Sequence, residues 1–289
     1  MSTGMSAVRR DRLGAVPSAL AVGGLALAAV AGLISRSLRP GAIIGGQLGT
    51  AAWERVLTDP VFTDSVQFTL IAALAATVIS VAAAIPLGLA VAQAGRWTRS
   101  AMGLLIPVPH LVVASVTVAW FGPGRLVDRV AAEIPIVGDR LGIGVVIVYV
   151  VKEVPFLVLL VVAALDVRTR QLDEAARSLG AGWWSRWRYV LGPRLAWPVG
   201  LGALVVAAFV VGSTEVPLVI GPLRPDSITT YALTVTRLRG PAARADAAVA
   251  LTVSTLIVAV LAIAIVAFAA RRTRNQGGAL PRPTGGVSL

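Results

Sequence analysis

No cysteine occurs among the 289 residues, which excludes disulfides, thiolate metal sites and cysteine nucleophiles. Histidine occurs once, as His110, and lysine once, as Lys152. A Ser/His/Asp constellation would have to form around a histidine set inside an apolar run, and no cluster shows metal-ligand spacing. A phosphate-cradling loop needs a Gly-rich turn ending in Lys followed by Ser or Thr. Lys152 is instead followed by Glu153. This reading therefore assigns no catalytic residue, no metal site and no cofactor to the chain itself.

Charge is scarce too. Only 14% of residues are charged, against 56% hydrophobic, the composition of a polytopic membrane protein and not of a soluble enzyme. A helical crossing needs about 20 apolar residues. Uncharged runs of that order extend from Leu13 to Ser35, Ser65 to Gly95, Ala101 to Gly124, Leu195 to Thr214 and Ala247 to Ala270. A sixth, Leu141 to Leu165, is interrupted only by Lys152 and Glu153. They read as six transmembrane helices in an all-α protein, because outer-membrane barrels are built from alternating segments of about ten residues. The first run follows Arg9, Arg10 and Arg12 and contains Ala29-Val30-Ala31. A cleaved secretory signal therefore competes with a retained crossing there, and the length of the run favours the crossing.

Arginine sets the orientation. With the N-terminus cytoplasmic, Arg9, Arg10, Arg12, Arg96, Arg99, the arginines from Arg168 to Arg194, Arg271, Arg272, Arg274 and Arg282 fall inside. The external loops then hold fewer basic residues and most of the acids, among them Glu54, Asp59, Asp128, Glu133 and Asp246. This bias predicts both termini inside. The net charge of +12 then reports topology and contact with the lipid bilayer; nucleic acid is not an expected partner. The tail from Asn275 to Leu289 is rich in Gly and Pro and reads as a disordered cytoplasmic end.

Between Leu165 and Trp197 a polar stretch separates two apolar segments. Gln171 to Leu179 are good helix formers, Gly180-Ala181-Gly182 interrupt them, and Trp183 to Leu191 resume as a short second helix that Pro193 is expected to stop. Trp183, Trp187 and Leu191 recur at four-residue spacing, so one face of that second piece can rest on membrane or protein. Read by itself, the stretch is an amphipathic interfacial linker.

Within it, Glu174-Ala175-Ala176 is followed after three residues by Gly180, and later by Val190 and Pro193. This resembles the "EAA" loop of permease subunits of binding-protein-dependent ABC importers: Glu-Ala-Ala, three residues, Gly, nine residues, a branched apolar residue, one residue, Leu and Pro. Gly192 stands where the family usually has Leu, a departure expected to weaken one packing contact. "KEVPFLVLL" and "STEVPLVIGP" are similar, less specifically, to segments in the iron, thiamine, phosphonate and polyamine group. The resemblance implies a MetI-like permease fold, with an N-terminal segment, first crossing and external loop over 1–61, a core over 62–270, the coupling loop at 166–195 and a tail over 271–289.

The resemblance further implies that the loop docks on a separate ATPase subunit. Glu174 would make polar contacts at that joint, Ala175 and Ala176 would allow close approach, and Gly180 would supply the turn. The implied partners are two ATPase subunits that bind the ATP, a second permease subunit, identical or related, and an extracytoplasmic substrate-binding protein. An ion-driven secondary transporter and a non-transporting membrane scaffold are the alternatives.

Five residues are candidates for the substrate pathway: His110, Lys152, Glu153, Thr214 and Glu215. Charges at mid-membrane cost about 2.5–3.5 kcal/mol each on insertion scales and are expected to face protein or water. Adjacent helical residues point about 100° apart, so Lys152 and Glu153 each need a partner elsewhere, such as His110, Glu215 or the second permease. Against the pathway role stands a structural one: an ion pair or locally broken helix at Lys152 and Glu153, a His110 satisfied by a neighbouring helix or by a carbonyl freed near Pro107 and Pro109, and an ordinary helix end at Thr214 and Glu215.

Overall fold

The computed structural model describes residues 21, 23–39, 48–125, 127, 136–239 and 243–277. The basic residues expected at Arg9 to Arg12, the acids Asp128 and Glu133, and the tail beyond 277 lie outside them. Helix is the regular element throughout the described residues. The helices are α1 (Gly23–Ser37), α2 (Ala51–Leu57), α3 (Pro60–Gln93), α4 (Arg96–Leu105), α5 (His110–Phe121), α6 (Ile143–Ala164), α7 (Val167–Ser178) and α8 (Trp183–Arg186). After a π-turn, Trp187–Leu191, come α9 (Gly192–Gly212), α10 (Glu215–Ile220), α11 (Ile228–Arg239) and α12 (Arg244–Gly277).

Among the described residues, four helices are long and apolar enough to cross a bilayer: Pro60–Gln93, Ile143–Ala164, the continuous Trp183–Gly212 and Arg244–Ala267. The crossing expected from Ala101 to Gly124 is not one straight helix. It is the pair α4 and α5, bent by 87°. Pro107 and Pro109 occupy the bend. Neither has an N–H, and the residue before a proline is pushed out of helical geometry, so the last carbonyls of α4 find no helical donor. Of the first expected crossing, α1 is described and is shorter than a span; its start at Leu13 lies outside the described residues.

Two compact units divide the chain: Met1–Ser65 with Ile228–Thr255, and Val66–Ser227 with Leu256–Leu289. In the first, polar side chains bridge elements distant in sequence. Arg55 of α2 pairs with Asp246 of α12 at 2.6 Å, the Tyr231 hydroxyl of α11 donates to Asp59 at 2.8 Å, and Trp53 donates to Ser37 at 3.1 Å. The rings of Phe62 and Tyr231 meet at a tilt of 55° with centroids 5.3 Å apart, and Val56, Ile228 and Val249 are buried in the same unit.

The second unit is organised around α6, which packs against α4, α5, α9 and α10. Val145, Val148, Tyr149, Leu157, Val158 and Val161 are all buried, while Ile143, Ile147 and Val151, one stripe at four-residue spacing, stay exposed. Apolar side chains can face lipid at little cost; ionic ones cannot. Lys152 and Glu153 fall off that stripe and into the protein, 7% and 9% exposed. Gly202 of α9 sits close against α6: an added Cβ would stand 2.5 Å from the end of the Leu160 side chain.

Candidate functional site

The polar stretch folds as a hairpin of two helical pieces. Asp166 opens α7 by accepting from the Thr169 N–H at 2.8 Å and the Thr169 hydroxyl at 2.6 Å, an N-cap legible as Asp followed three residues later by Thr. Hydrogen bonds from Thr169 hold the Asp166 carboxyl below the usual carboxylate range. Arg170 donates through Nε to the Leu165 carbonyl at the end of α6, and Arg194 of α9 reaches the Thr169 hydroxyl. The base of α7 is thus tied to two membrane helices.

Gly180 ends α7 in a way that accounts for its spacing from Glu-Ala-Ala. Its N–H donates to the Arg177 carbonyl and the Ala181 N–H to the Ala176 carbonyl, both at 2.9 Å. This is the paired closure of a Schellman cap, in which the residue past the helix adopts left-handed geometry. Gly180 does so, with φ +78°, a conformation that costs a residue with a Cβ roughly 1–2 kcal/mol.

The hairpin is then locked by a residue that the sequence reading did not single out. Asp173, buried, accepts from Arg186 of α8 at 2.7 Å (Nε to Oδ1) and 2.9 Å (a terminal amino group to Oδ2), and from Arg177 at 3.0 Å. Burial pushes its carboxyl pKa up, but the bonds and charges of Arg186 and Arg177 outweigh burial and hold it below the ordinary value. Arg177 lies four residues ahead on α7, a spacing visible in sequence. The partner on α8 was not, because only the Gly180 turn brings it back. Trp183 and Trp187 stack at 6.2 Å on one face of the second piece, as their spacing predicts.

Pro193 does not stop that piece. It sits in the first turn of α9, and the chain runs as one helix from Trp183 to Gly212. A proline ring collides with the carbonyl four residues back, here that of Tyr189. A π-turn inserts one extra residue just ahead of it, and the Gly192 N–H donates five residues back to the Trp187 carbonyl. The same turn explains Gly192: a Cβ there would stand 2.7 Å from the Trp187 carbonyl oxygen. Its departure from Leu is therefore a requirement of this turn and not merely a lost packing contact. Val190 lies half-buried within the π-turn, while Glu174, Ala175 and Gly180 are exposed and Ala176 is partly so.

The intramembrane residues gather at the α4–α5 break. Lys152 donates from Nζ to the carbonyls of Leu105 and Ile106 at 3.2 and 2.7 Å, which places an ammonium on the negative end of α4. His110, the first residue of α5, has Nε2 2.8 Å from Oε1 of Glu153. The His110 ring also lies 4.5 Å from that of Phe209 on α9, a neighbour that only the packing reveals. The expected need for separate partners is met, with the freed carbonyls going to Lys152 and not to His110. Thr214 is the N-cap of α10 and Glu215 its exposed first residue. No hydrogen bond joins either to His110, Lys152 or Glu153 among the described residues.

Comparison with known proteins bears on the family and the fold. The sequence pattern of the family "Binding-protein-dependent transport system inner membrane component" matches residues 84–275. The inner membrane ABC transporter permease protein YnjC of Escherichia coli (strain K12) is 25% identical over 209 residues, which is 71% of this chain but 41% of that protein. Among solved structures, a bacterial ABC transporter involved in import of the acidic polysaccharide alginate aligns with a TM-score of 0.65 at 18% identity, covering 94% of this chain and 98% of that one. A bacterial alginate ABC transporter in complex with an alginate pentasaccharide-bound periplasmic protein gives 0.67 at 16% identity, covering 93% and 94%. At such identities the likeness establishes the fold.

Proposed function

The chain belongs to the family of inner membrane components of binding-protein-dependent transport systems and is a multi-pass inner-membrane protein, and from that premise we propose that it is the permease subunit of an ABC importer, driven by a separate ATPase docked on α7 and α8. The observation that carries the reading is mechanical. Asp173 locks the hairpin, Arg170 and Arg194 tie it to its flanking helices, and the π-turn joins it to α9 without a break. A displacement of α7 is therefore delivered to α9, which packs along α6, the helix that carries Lys152 and Glu153. Rocking of packed helices around a polar site is how other transporters alternate access.

In this reading Glu174, Ala175 and Gly180 meet the ATPase, and exposed Leu179 and Trp184 extend the docking face. Two ATPase subunits, a second permease and an extracytoplasmic binding protein complete the assembly, with both termini cytoplasmic. His110, Lys152 and Glu153 border the substrate path at the α4–α5 break, and Thr214 and Glu215 border it at the α9–α10 break. The test is assembly: the chain purified with the ATPase and binding protein encoded by adjacent genes should form a complex whose uptake requires ATP hydrolysis. Uptake that follows an ion gradient without ATP would overturn the reading.

A further inference from the structure

The coupling hairpin and the C-terminal end of α3 enclose a groove with two chemically different halves. The apolar half, about 500 Å³, is walled by Ile85, Pro86 and Leu89 of α3 and by Trp183 and Trp187. The polar half, about 480 Å³, shares Leu89, Gln93 and Trp183 with the first and adds Arg99, Arg170, Arg177 and Arg186 together with Asp173 and Glu174. Four guanidinium groups less two carboxylates leave two positive charges. Arg170 spends only Nε, on the Leu165 carbonyl. Its terminal amino groups make no hydrogen bond among the described residues, and they carry four of the five guanidinium donors.

We propose that this groove binds one anionic glycerophospholipid, with the phosphate at Arg170 and an acyl chain along Leu89 and Trp183. The order of the two halves matches that of the bilayer. Gln93 closes α3 beside polar residues, and Ile85 lies eight residues, about 12 Å, further into the apolar run. A headgroup at the arginines therefore points its chain toward the hydrocarbon, and tryptophan is the side chain suited to that boundary. A free phosphate would use only the polar half, and a zwitterionic headgroup would leave the excess positive charge unmatched. The inference requires the chain to sit in a bilayer but not that α7 docks an ATPase, so the two readings can fail separately.

The test is native mass spectrometry of the full chain extracted from bilayers of equal phosphatidylglycerol and phosphatidylcholine. One phosphatidylglycerol should be retained at least tenfold in preference to phosphatidylcholine. Arg170→Gln, which leaves the Asp173 lock intact, should cut the preference by a similar factor. Leu89→Glu, in the other half, should reduce retention of either lipid. Millimolar glycerol 3-phosphate should not displace the bound lipid. Equal retention of both lipids, retention unchanged in both variants, or displacement by glycerol 3-phosphate would each overturn the proposal.

Discussion

Asp173 and Arg186 are thirteen residues apart in sequence, and their side chains meet at 2.7 Å across the turn at Gly180, both largely buried. The pair fastens α7, too short to be stable alone, to the start of the long helix that runs from Trp183 to Gly212. Asp173→Asn should cost about 1.5–3 kcal/mol, the range for a hydrogen bond to a charged group. It should also uncouple the assembly, with basal ATPase activity kept and substrate stimulation lost. Arg186→Gln should behave alike, and the double variant should be little worse than either single, because both act on one interaction. Wild-type stimulation in Asp173→Asn would show that rigidity of the hairpin is not what transmits the motion.

The same carboxylate sets a pH limit. Because the folded pKa of Asp173 lies below its ordinary value near 3.9, its contribution is complete above that value and is lost as pH falls through the lower, folded one. Hydrogen exchange across α7 and α8 should stay slow down to about pH 4 and quicken only below it. Loosening between pH 5 and 6 would contradict the lock.

Gly180 separates a backbone requirement from a docking requirement. An added Cβ meets nothing within 4 Å, yet φ is +78°. Gly180→Asn, which tolerates that geometry, should retain coupling. Gly180→Trp should keep membrane insertion and lose ATPase association, as should Glu174→Lys on the same exposed face. Full coupling in both disruptive variants would remove α7 from the docking surface.

At Gly192 the family's usual Leu becomes a test of the π-turn. Because the clash is with the Trp187 backbone at 2.7 Å, Gly192→Leu should destabilise by about 1–3 kcal/mol, the usual range for overpacking. An unchanged unfolding transition would mean that the turn can rearrange into an ordinary α-helix.

How far these features could be read from the sequence depended on whether they were local. Helical character, the Gly180 turn, the stacked Trp183 and Trp187 and the burial of Lys152 and Glu153 follow from spacing and from the cost of charge in lipid. Pro107 and Pro109 announced freed carbonyls, but not that Lys152 would take them while His110 turned to Glu153, since that choice rests on how α4, α5 and α6 cross. Pro193 read as a stop because a single residue does not reveal an inserted π-turn that ends two positions before it. Asp173 has an unremarkable neighbour in sequence at Arg177, and its main partner depends on the hairpin closing.

The cluster at the break in α4 and α5 supports the last prediction, which separates structural from pathway roles. Lys152 holds two carbonyls of a bent helix pair. A hydrogen bond from a charged donor is worth about 1.5–3 kcal/mol, and Lys152→Met removes both of these at once and leaves the two carbonyls without their donor. Lys152→Met should therefore lower the unfolding transition more than any variant above. Glu153→Gln can still hydrogen-bond to His110, so it should retain the fold while removing the negative charge. If Glu153 borders the substrate path, Glu153→Gln should change substrate affinity or transport rate at wild-type expression and basal ATPase activity, and His110→Gln should shift the same parameter. Wild-type transport kinetics in both, together with a destabilised Lys152→Met, would assign the whole cluster to bracing the break and place the path elsewhere.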